Sequence, residues 1–223
     1  MGGSGRVTGD EPPVVAAAEV TAARTDEASL PSVAGVVLAA GTSSRFGAGN
    51  KLLAELDGEP LVRRAVRTLL DATLGRVIVV LGHESASVRE ALSDLDVPFV
   101  ENPRYEAGQS TSVRAGVRAV AETDATAAVF LSGDMPFVDP ETVDRLVEAY
   151  SLGVGDAIAA AHAGRRGNPV LFDRRHFDAL RGIEGDVGGR SVLLGSDAAA
   201  LLDVDDPGVT TDVDTPNDLA RHG

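Results

Sequence analysis

The chain has 223 residues, 43% of them hydrophobic, enough for one large domain with a substantial core. Its 34 Asp and Glu against 20 Lys and Arg give a formal charge of −14, and aromatics make up only 4% with no Trp, which argues against a nucleic-acid binder built on a basic face or on stacking platforms. Cysteine is absent, which excludes disulfides, thiolate nucleophiles and Cys-based metal sites, and no apolar run approaches the roughly 18 residues of a membrane span. Residues 1–32 are small, polar and acidic, with Gly2, Gly3 and Gly5 early and Pro12, Pro13 and Pro31 later. They read as a flexible acidic tail in which Val14 to Ala23 is a possible helix without a clear apolar stripe. The N-terminus lacks a basic segment followed by an apolar one, so a soluble, cytoplasmic protein is expected. The near absence of lysine beside abundant Asp, Glu, Ala, Val and Thr resembles proteins of salt-adapted, halophilic organisms.

From Val33 onward strands alternate with helices. Gly35 to Ala39 is the first strand, and Pro60 opens a helix at a position where no N–H is lost, with Leu61, Ala65, Val66, Leu69 and Leu70 on its apolar stripe. The run from Arg76 to Leu81 is a strand buried on both faces. A short helix from Ser85, a strand from Val97 to Val100 and a helix from Gln109 to Ala121 follow. Ala127 to Leu131 is a third buried strand, and Asp139 caps a helix that runs from Pro140 to Tyr150. Ala157 to Ala161 and Pro169 to Phe172 flank a hairpin or inserted strand pair. A helix from Arg174 to Leu180, a segment from Gly185 to Leu194, a strand near Leu201 to Val204 and a closing segment from Thr210 to Leu219 complete the chain. This order predicts a three-layer α/β/α sandwich with a Rossmann-like, mostly parallel sheet and right-handed crossovers, formed by residues 33–223 as one domain.

In such sheets ligands sit at the carboxyl ends of the strands. Three sequence features fall there. The first strand empties into Gly41-Thr42-Ser43-Ser44-Arg45-Phe46-Gly47, whose backbone N–H groups, with Arg45 and Lys51, suit phosphate oxygens. Lys51 is the only lysine in the chain, and the loop lacks the Gly-Lys-Ser/Thr ending of a P-loop. Asp134 follows the third buried strand and is placed to hold a hard cation such as Mg²⁺, which takes one or two carboxylates plus water and phosphate. Asp212 and Asp214 share one face of an extended segment, where like charges repel unless a cation lies between them.

These residues also carry a resemblance. Leu38-Ala39-Ala40-Gly41-Thr42-Ser43-Ser44-Arg45-Phe46-Gly47 with Lys51 resembles the signature of the MobA-like nucleotidyltransferases. Gly108-Gln109-Ser110-x-Ser112, Gly133-Asp134-Met135-Pro136, Gly167-x-Pro169 and Gly185-Asp186-x-Gly188-Gly189-Arg190 extend the match, as does Asp212 to Pro216. The full set is most similar to the molybdenum cofactor cytidylyltransferase branch (MocA type). Phe46 stands where the family usually has Met, and Asn168 where that branch often has His. The resemblance implies a glycosyltransferase-A type fold and Mg²⁺-dependent transfer of CMP from CTP to the terminal phosphate of molybdenum-molybdopterin, with pyrophosphate released.

The same resemblance implies roles by residue. Lys51, Arg45 and Asp134 would be catalytic, with Asp134 and Asp214 as metal ligands. Leu38 to Ser44 with Gly108, Gln109, Ser110 and Ser112 would bind the nucleotide. Asn168, Asp186, Gly188 and Arg190 would bind the acceptor, and a molybdenum hydroxylase apoenzyme is an implied partner. Guanylyltransferase relatives usually read Leu-Ala-Gly-Gly where this chain has Leu38-Ala39-Ala40-Gly41, and the Ala40 methyl occupies space that a purine edge would need. Three alternatives stay open on the sequence: transfer to a sugar, polyol or lactate phosphate; a non-catalytic maturation chaperone for a molybdenum hydroxylase; and a sugar transferase of the same fold, against which the lone Asp of Gly133-Asp134-Met135 counts.

Overall fold

The computed structural model describes residues 11–22, 31–44, 46–47 and 49–222. In chain order the elements are β1 (Val14–Ala16), α1 (Ala17–Ala22), β2 (Val33–Ala39), β3 (Glu55–Leu56), β4 (Glu59–Pro60), α2 (Leu61–Asp71), β5 (Arg76–Leu81), α3 (Ser85–Ala91) and β6 (Phe99–Glu101). They continue as α4 (Gln109–Ala121), β7 (Ala127–Ser132), α5 (Pro140–Ser151), β8 (Ala157–His162), β9 (Arg165–Asp173), α6 (Phe177–Arg181), α7 (Arg190–Gly195), β10 (Ala199–Asp203) and α8 (Pro216–His222).

Eight strands form one sheet in the order β1-β10-β8-β9-β7-β2-β5-β6, and β9 alone runs antiparallel to its neighbours. Strand alternation sorts the side chains into two apolar layers. Val33, Val37 and Ala39 of β2 pack with Val62 and Leu69 of α2, Val88 of α3 and Leu146 of α5. Ala34 and Val36 enter the opposite layer with Val113, Val117 and Val120 of α4 and Leu180 of α6. β5 divides the same way, Val77, Val79 and Leu81 against Ile78 and Val80. The result is the expected three-layer sandwich. Helix α4 lies close on β2 because Gly116 has no side chain: a Cβ there would stand 2.6 Å from Val36 Cγ1.

Boundaries differ from expectation where proline intervenes. Pro60 precedes the helix rather than opening it, with φ −56° and ψ 139°, and pairs in β4 against β3. Strand β6 starts at Phe99, after Pro98, which has no N–H for the ladder, although its carbonyl accepts from Val79 N at 3.0 Å. The larger correction concerns the expected flexible tail. Residues 14–16 form β1, which adds in parallel to β10 at the sheet edge, with Val14 opposite Leu201 and Leu201 N donating to Pro13 O at 2.8 Å. Val20 of α1 is buried in the core behind it. A three-residue strand has no period to read; its partner strand defines it. The rest of that segment, residues 1–10 and 23–30, lies outside the described residues.

Three connections position the site. After β2 the chain goes one way to β5 and β6 and then returns to β7 on the other side, so strand order reverses between β2 and β7. Both strands end there in loops, which makes their carboxyl edge the expected crevice. Because β9 runs the other way, its first residues, Arg165 to Asn168, lie at that same edge. The turn that sends them there, Ala163-Gly164, has positive φ at both residues (50° and 74°), as a two-residue hairpin turn requires. Val213 N donates to Asp134 O at 3.0 Å, and the Val213 side chain is buried with Leu56 and Leu61. That contact draws the closing segment across the end of β7.

Candidate active site

The crevice is a cavity of about 910 Å³ at the carboxyl edge of the sheet. Its centre is Lys51. Asn50 caps the short 3₁₀ turn Lys51–Leu53, its Oδ1 accepting from Leu52 N at 3.1 Å. Ser43, buried and at φ 55°, donates its hydroxyl to Asn50 Oδ1 and accepts from Lys51 N, both at 3.1 Å. The turn is thus tied back to the loop that leaves β2. Lys51 Nζ then donates to Asp134 Oδ2 at 2.5 Å and to Asp214 Oδ1 at 2.7 Å, with its side chain only 12% exposed. Burial opposes its charge, but the two carboxylates more than offset that and hold the ammonium pKa above its ordinary value.

Asp212 also lines the cavity. Its carboxyl is pushed above the usual range, by burial first and then by the negative charges of Asp214 and Asp134. One ammonium therefore faces three carboxylates. Among the described residues no group of three or more His, Cys, Asp or Glu stands in a geometry that would hold a metal by itself. Asp134 and Asp214, converging on one cation, form a hard-oxygen donor pair of the kind that Mg²⁺ completes with water and phosphate oxygens.

The structure gathers most of the residues singled out from the sequence. Leu38, Ala40, Gly41, Thr42, Ser43, Ser44, Gly108, Gln109, Ser112, Asn168 and Asp186 line the same cavity as Lys51, Asp134 and Asp214. Four others are placed differently. Ala39 faces the core on the α2 side, where strand alternation sends it. Ser110 is 1% exposed and its hydroxyl has no hydrogen-bond partner among the described residues; its contribution is a backbone N–H to Gly185 O at 3.3 Å. Gly188 backs Gln109, where a Cβ would stand 3.0 Å from Gln109 Oε1. Arg190 at the start of α7 is 60% exposed, outside the lining, and 3.6 Å from Glu11. Arg45 lies outside the described residues. Ser43 lines the cavity, yet its hydroxyl is engaged within the loop.

Sequence reasoning missed three contributors, Asn102, Arg165 and Arg166. Asn102, 4% exposed, donates to Thr111 Oγ1 at 2.8 Å and Ser112 Oγ at 3.0 Å, and accepts from Arg104 N at 3.1 Å. It fixes the loop that leads into α4. Asp186 accepts from Gln109 N at 3.3 Å, so a carboxylate already sits at the N-terminus of α4 and ties the Gly185 loop to it. Arg165 and Arg166 are the described cations that line the cavity besides Lys51. A paired Arg in so acidic a chain, directly before Gly167 and Asn168, was the available signal.

Comparison with known proteins fits this geometry. The MobA-like NTP transferase domain matches residues 35–209. The purine catabolism protein PucB of Bacillus subtilis is 32% identical over 84% of this chain and 94% of its own length. Nicotine blue oxidoreductase of Paenarthrobacter nicotinovorans is 31% identical, covering 87% and 98%. The molybdenum cofactor cytidylyltransferase of Escherichia coli is 29% identical, covering 82% and 92%. Among solved structures, a nucleotidyl transferase of Methanothermobacter superposes with a TM-score of 0.74 at 26% identity over 85% of this chain and 95% of that one. Rv0371c of Mycobacterium tuberculosis in complex with manganese gives 0.71 at 27% identity, covering 86% and 97%. No described helix is long and apolar enough to cross a membrane. With the domain match running from β2 past β10 and the sheet shared with a nucleotidyl transferase, the chain belongs to the MobA-like NTP transferase family.

Proposed function

We propose that the chain transfers CMP from CTP to the terminal phosphate of molybdenum-molybdopterin and releases pyrophosphate. The observation that carries this reading is Lys51 held between Asp134 and Asp214 beside the loop that leaves β2, in a member of a nucleotide-transferring family. A cavity of about 910 Å³ is at the upper end of single-ligand pockets, which supports room for a nucleotide and an acceptor together. Ala40 supports cytosine. It lines the cavity at 3% exposure and backs onto Gly82, where a Cβ would stand 2.7 Å from the Ala40 Cβ, so it has little room to retreat before a purine. Relatives of similar identity carry unlike names, so the acceptor rests on the motifs around Gly108 to Ser112 and Gly185 to Arg190 rather than on identity.

In the reaction an oxygen of the acceptor phosphate forms a bond to the α-phosphorus of CTP. The bond from that phosphorus to the bridging α–β oxygen breaks, and pyrophosphate leaves with the electron pair. A phosphate monoester is largely ionised near neutral pH, so no residue has to remove a proton. Catalysis then rests on positioning and on offsetting negative charge. Asp134 and Asp214 would hold Mg²⁺, which when bound supplies positive charge against the triphosphate. Lys51, kept charged by its two carboxylates, stands at the phosphates, and the backbone N–H groups from Gly41 to Ser44 cradle them, with Arg45 as a further cation. Gln109 and Ser112 line the nucleotide side, Asn168 and Asp186 the acceptor side. A molybdenum hydroxylase apoenzyme would receive the product.

Pyrophosphate release, measured with each nucleoside triphosphate with and without molybdopterin, tests the proposal. Release is expected with CTP and Mg²⁺ only when molybdopterin is present. Equal rates with GTP would remove the base assignment, and turnover with a sugar or polyol phosphate in place of molybdopterin would remove the acceptor.

A further inference from the structure

The cavity's cations are unequally occupied. Lys51 is matched by Asp134 and Asp214, whereas Arg166 on β9 reaches out of the lining to a residue far away in sequence. Arg166 Nη1 donates to Glu11 Oε1 at 2.9 Å and to Glu11 Oε2 at 3.0 Å, so both carboxylate oxygens converge on one guanidinium nitrogen. Arg190 Nη2, at the start of α7, lies 3.6 Å from the same Glu11 Oε1. Two guanidiniums from separate elements thus share one carboxylate beside the cavity. The carboxylate comes from the segment that precedes β1, which is pinned to the sheet edge by the Leu201 N to Pro13 O bond.

Stability does not account for this arrangement. Glu11 is 49% exposed and Arg190 60%, and exposed ion pairs contribute little to folding. Arg166 is only 20% exposed, however, and a guanidinium is the donor best matched to a phosphate dianion. A carboxylate gathered by two arginines is a chemical stand-in for such a group.

We propose that Arg166, with Arg190 beside it, is the receptor for the acceptor's phosphomonoester, and that Glu11 is an internal competitor that occupies it until an acceptor displaces it. This rests on the reading that the acceptor is a phosphate. It adds to that reading a receptor on β9 and a strap from the N-terminal segment that lowers the acceptor's apparent affinity. The apparent affinity is the intrinsic affinity multiplied by the fraction of molecules with the strap open. An exposed charge pair favours its closed form by about fivefold at most, so an effect of that order is expected.

The test needs no knowledge of the acceptor. Binding of phenyl phosphate, a soluble phosphomonoester, is titrated by calorimetry with saturating pyrophosphate present to fill the Lys51 side of the cavity. Four chains are compared: wild type, Glu11→Gln, Arg166→Gln and the double variant. Glu11→Gln is expected to tighten binding by about fivefold. Arg166→Gln is expected to weaken it by at least about tenfold and to erase the effect of Glu11→Gln in the double variant. Unchanged binding in Glu11→Gln overturns the strap, and unchanged binding in Arg166→Gln overturns the receptor. Equal effects of Glu11→Gln with and without Arg166 overturn the link between them. Should Arg166→Gln melt much lower than wild type, Arg166→Lys, which keeps the charge but not the fork, replaces it with the same expected direction. Failure of CTP-dependent turnover with molybdopterin leaves this titration readable, so the two proposals fail separately.

Discussion

Lys51 does two jobs that pull apart under mutation. It neutralises Asp134 and Asp214, and in the proposed reaction it faces the phosphates. Lys51→Ala leaves two carboxylates opposing each other with Asp212 beside them, so a stability cost is expected along with a loss of activity. Loss of one preorganised cation at a phosphoryl-transfer centre typically lowers kcat by about 10²–10³-fold, and that is the expected fall in pyrophosphate release. Ser43→Ala separates the roles. Its hydroxyl touches Asn50 Oδ1 and Lys51 N but not the carboxylates, so it positions the turn. A fall in kcat of about tenfold, with little change in the KM for CTP, is expected, and activity equal to wild type would show that the turn holds Lys51 without it. Lys51 was legible because it is the only lysine and follows a Gly-rich loop. For Arg166 the paired arginines were the only local signal, and its contact with Glu11, a residue 155 positions away, could not be read from the sequence. Ser110 was misplaced for a related reason: residue type suggests a ligand donor, but the register of α4 buries it, whereas Ser112 lines the cavity.

At the scale of elements, the edge of the sheet opposite the cavity is tied by a polar cluster. Asp156, just before β8, accepts from Ser196 Oγ at 2.6 Å and lies 2.9 Å from His176 Nε2 and 3.2 Å from Arg175 Nη1. Asp173, at the end of β9, accepts from Tyr150 of α5 at 2.7 Å and from Arg175 N at 2.8 Å. Four elements meet there. Burial alone would raise the Asp156 pKa, but the hydrogen bond from Ser196, the close approach of His176 and the Arg175 guanidinium hold it below the usual carboxylate range. A carboxyl with a folded pKa below its unfolded one adds stability at pH above about 4, and that stability is lost as the pH falls through the folded value. Asp156→Asn is therefore expected to lower Tm at pH 7, by about 1–2 kcal/mol of stability, and to shrink the difference in Tm between pH 7 and pH 3. An undiminished difference would assign the acid sensitivity to Asp173 and the surface carboxylates. Elements were legible from the sequence where period and length agree, as in β5 and α4, whose ends fall where the sequence places them. They were illegible where a partner decides, as in β1, whose three residues become a strand only beside Leu201 to Asp203.

The whole molecule carries 34 acidic side chains against 20 basic ones, and that imbalance sets its response to salt. The ion pairs that could be screened away are mostly exposed, such as Arg89–Glu101 and Arg181–Asp178, and each is worth about 0–1 kcal/mol. Against them stands the self-repulsion of a net charge of −14 on the chain, which salt relieves. Raising the ionic strength from 0.1 M to 1 M shortens the Debye length from about 10 Å to about 3 Å. Repulsion summed over the surface extends beyond that range, whereas the pairs in contact lie within it, so repulsion is the larger loss on screening. The pairings of Lys51 with Asp134 and Asp214 are largely buried and scarcely screened. Tm is therefore expected to rise steadily as KCl increases from 0.1 M to 1 M at pH 7. The rise should be smaller at pH 4, where protonation of surface carboxylates has already reduced the charge. The same trend with tetramethylammonium chloride would separate screening from specific potassium binding. A Tm that falls with KCl would mean that the exposed pairs outweigh the net charge, and the composition would then describe solubility rather than adaptation to salt.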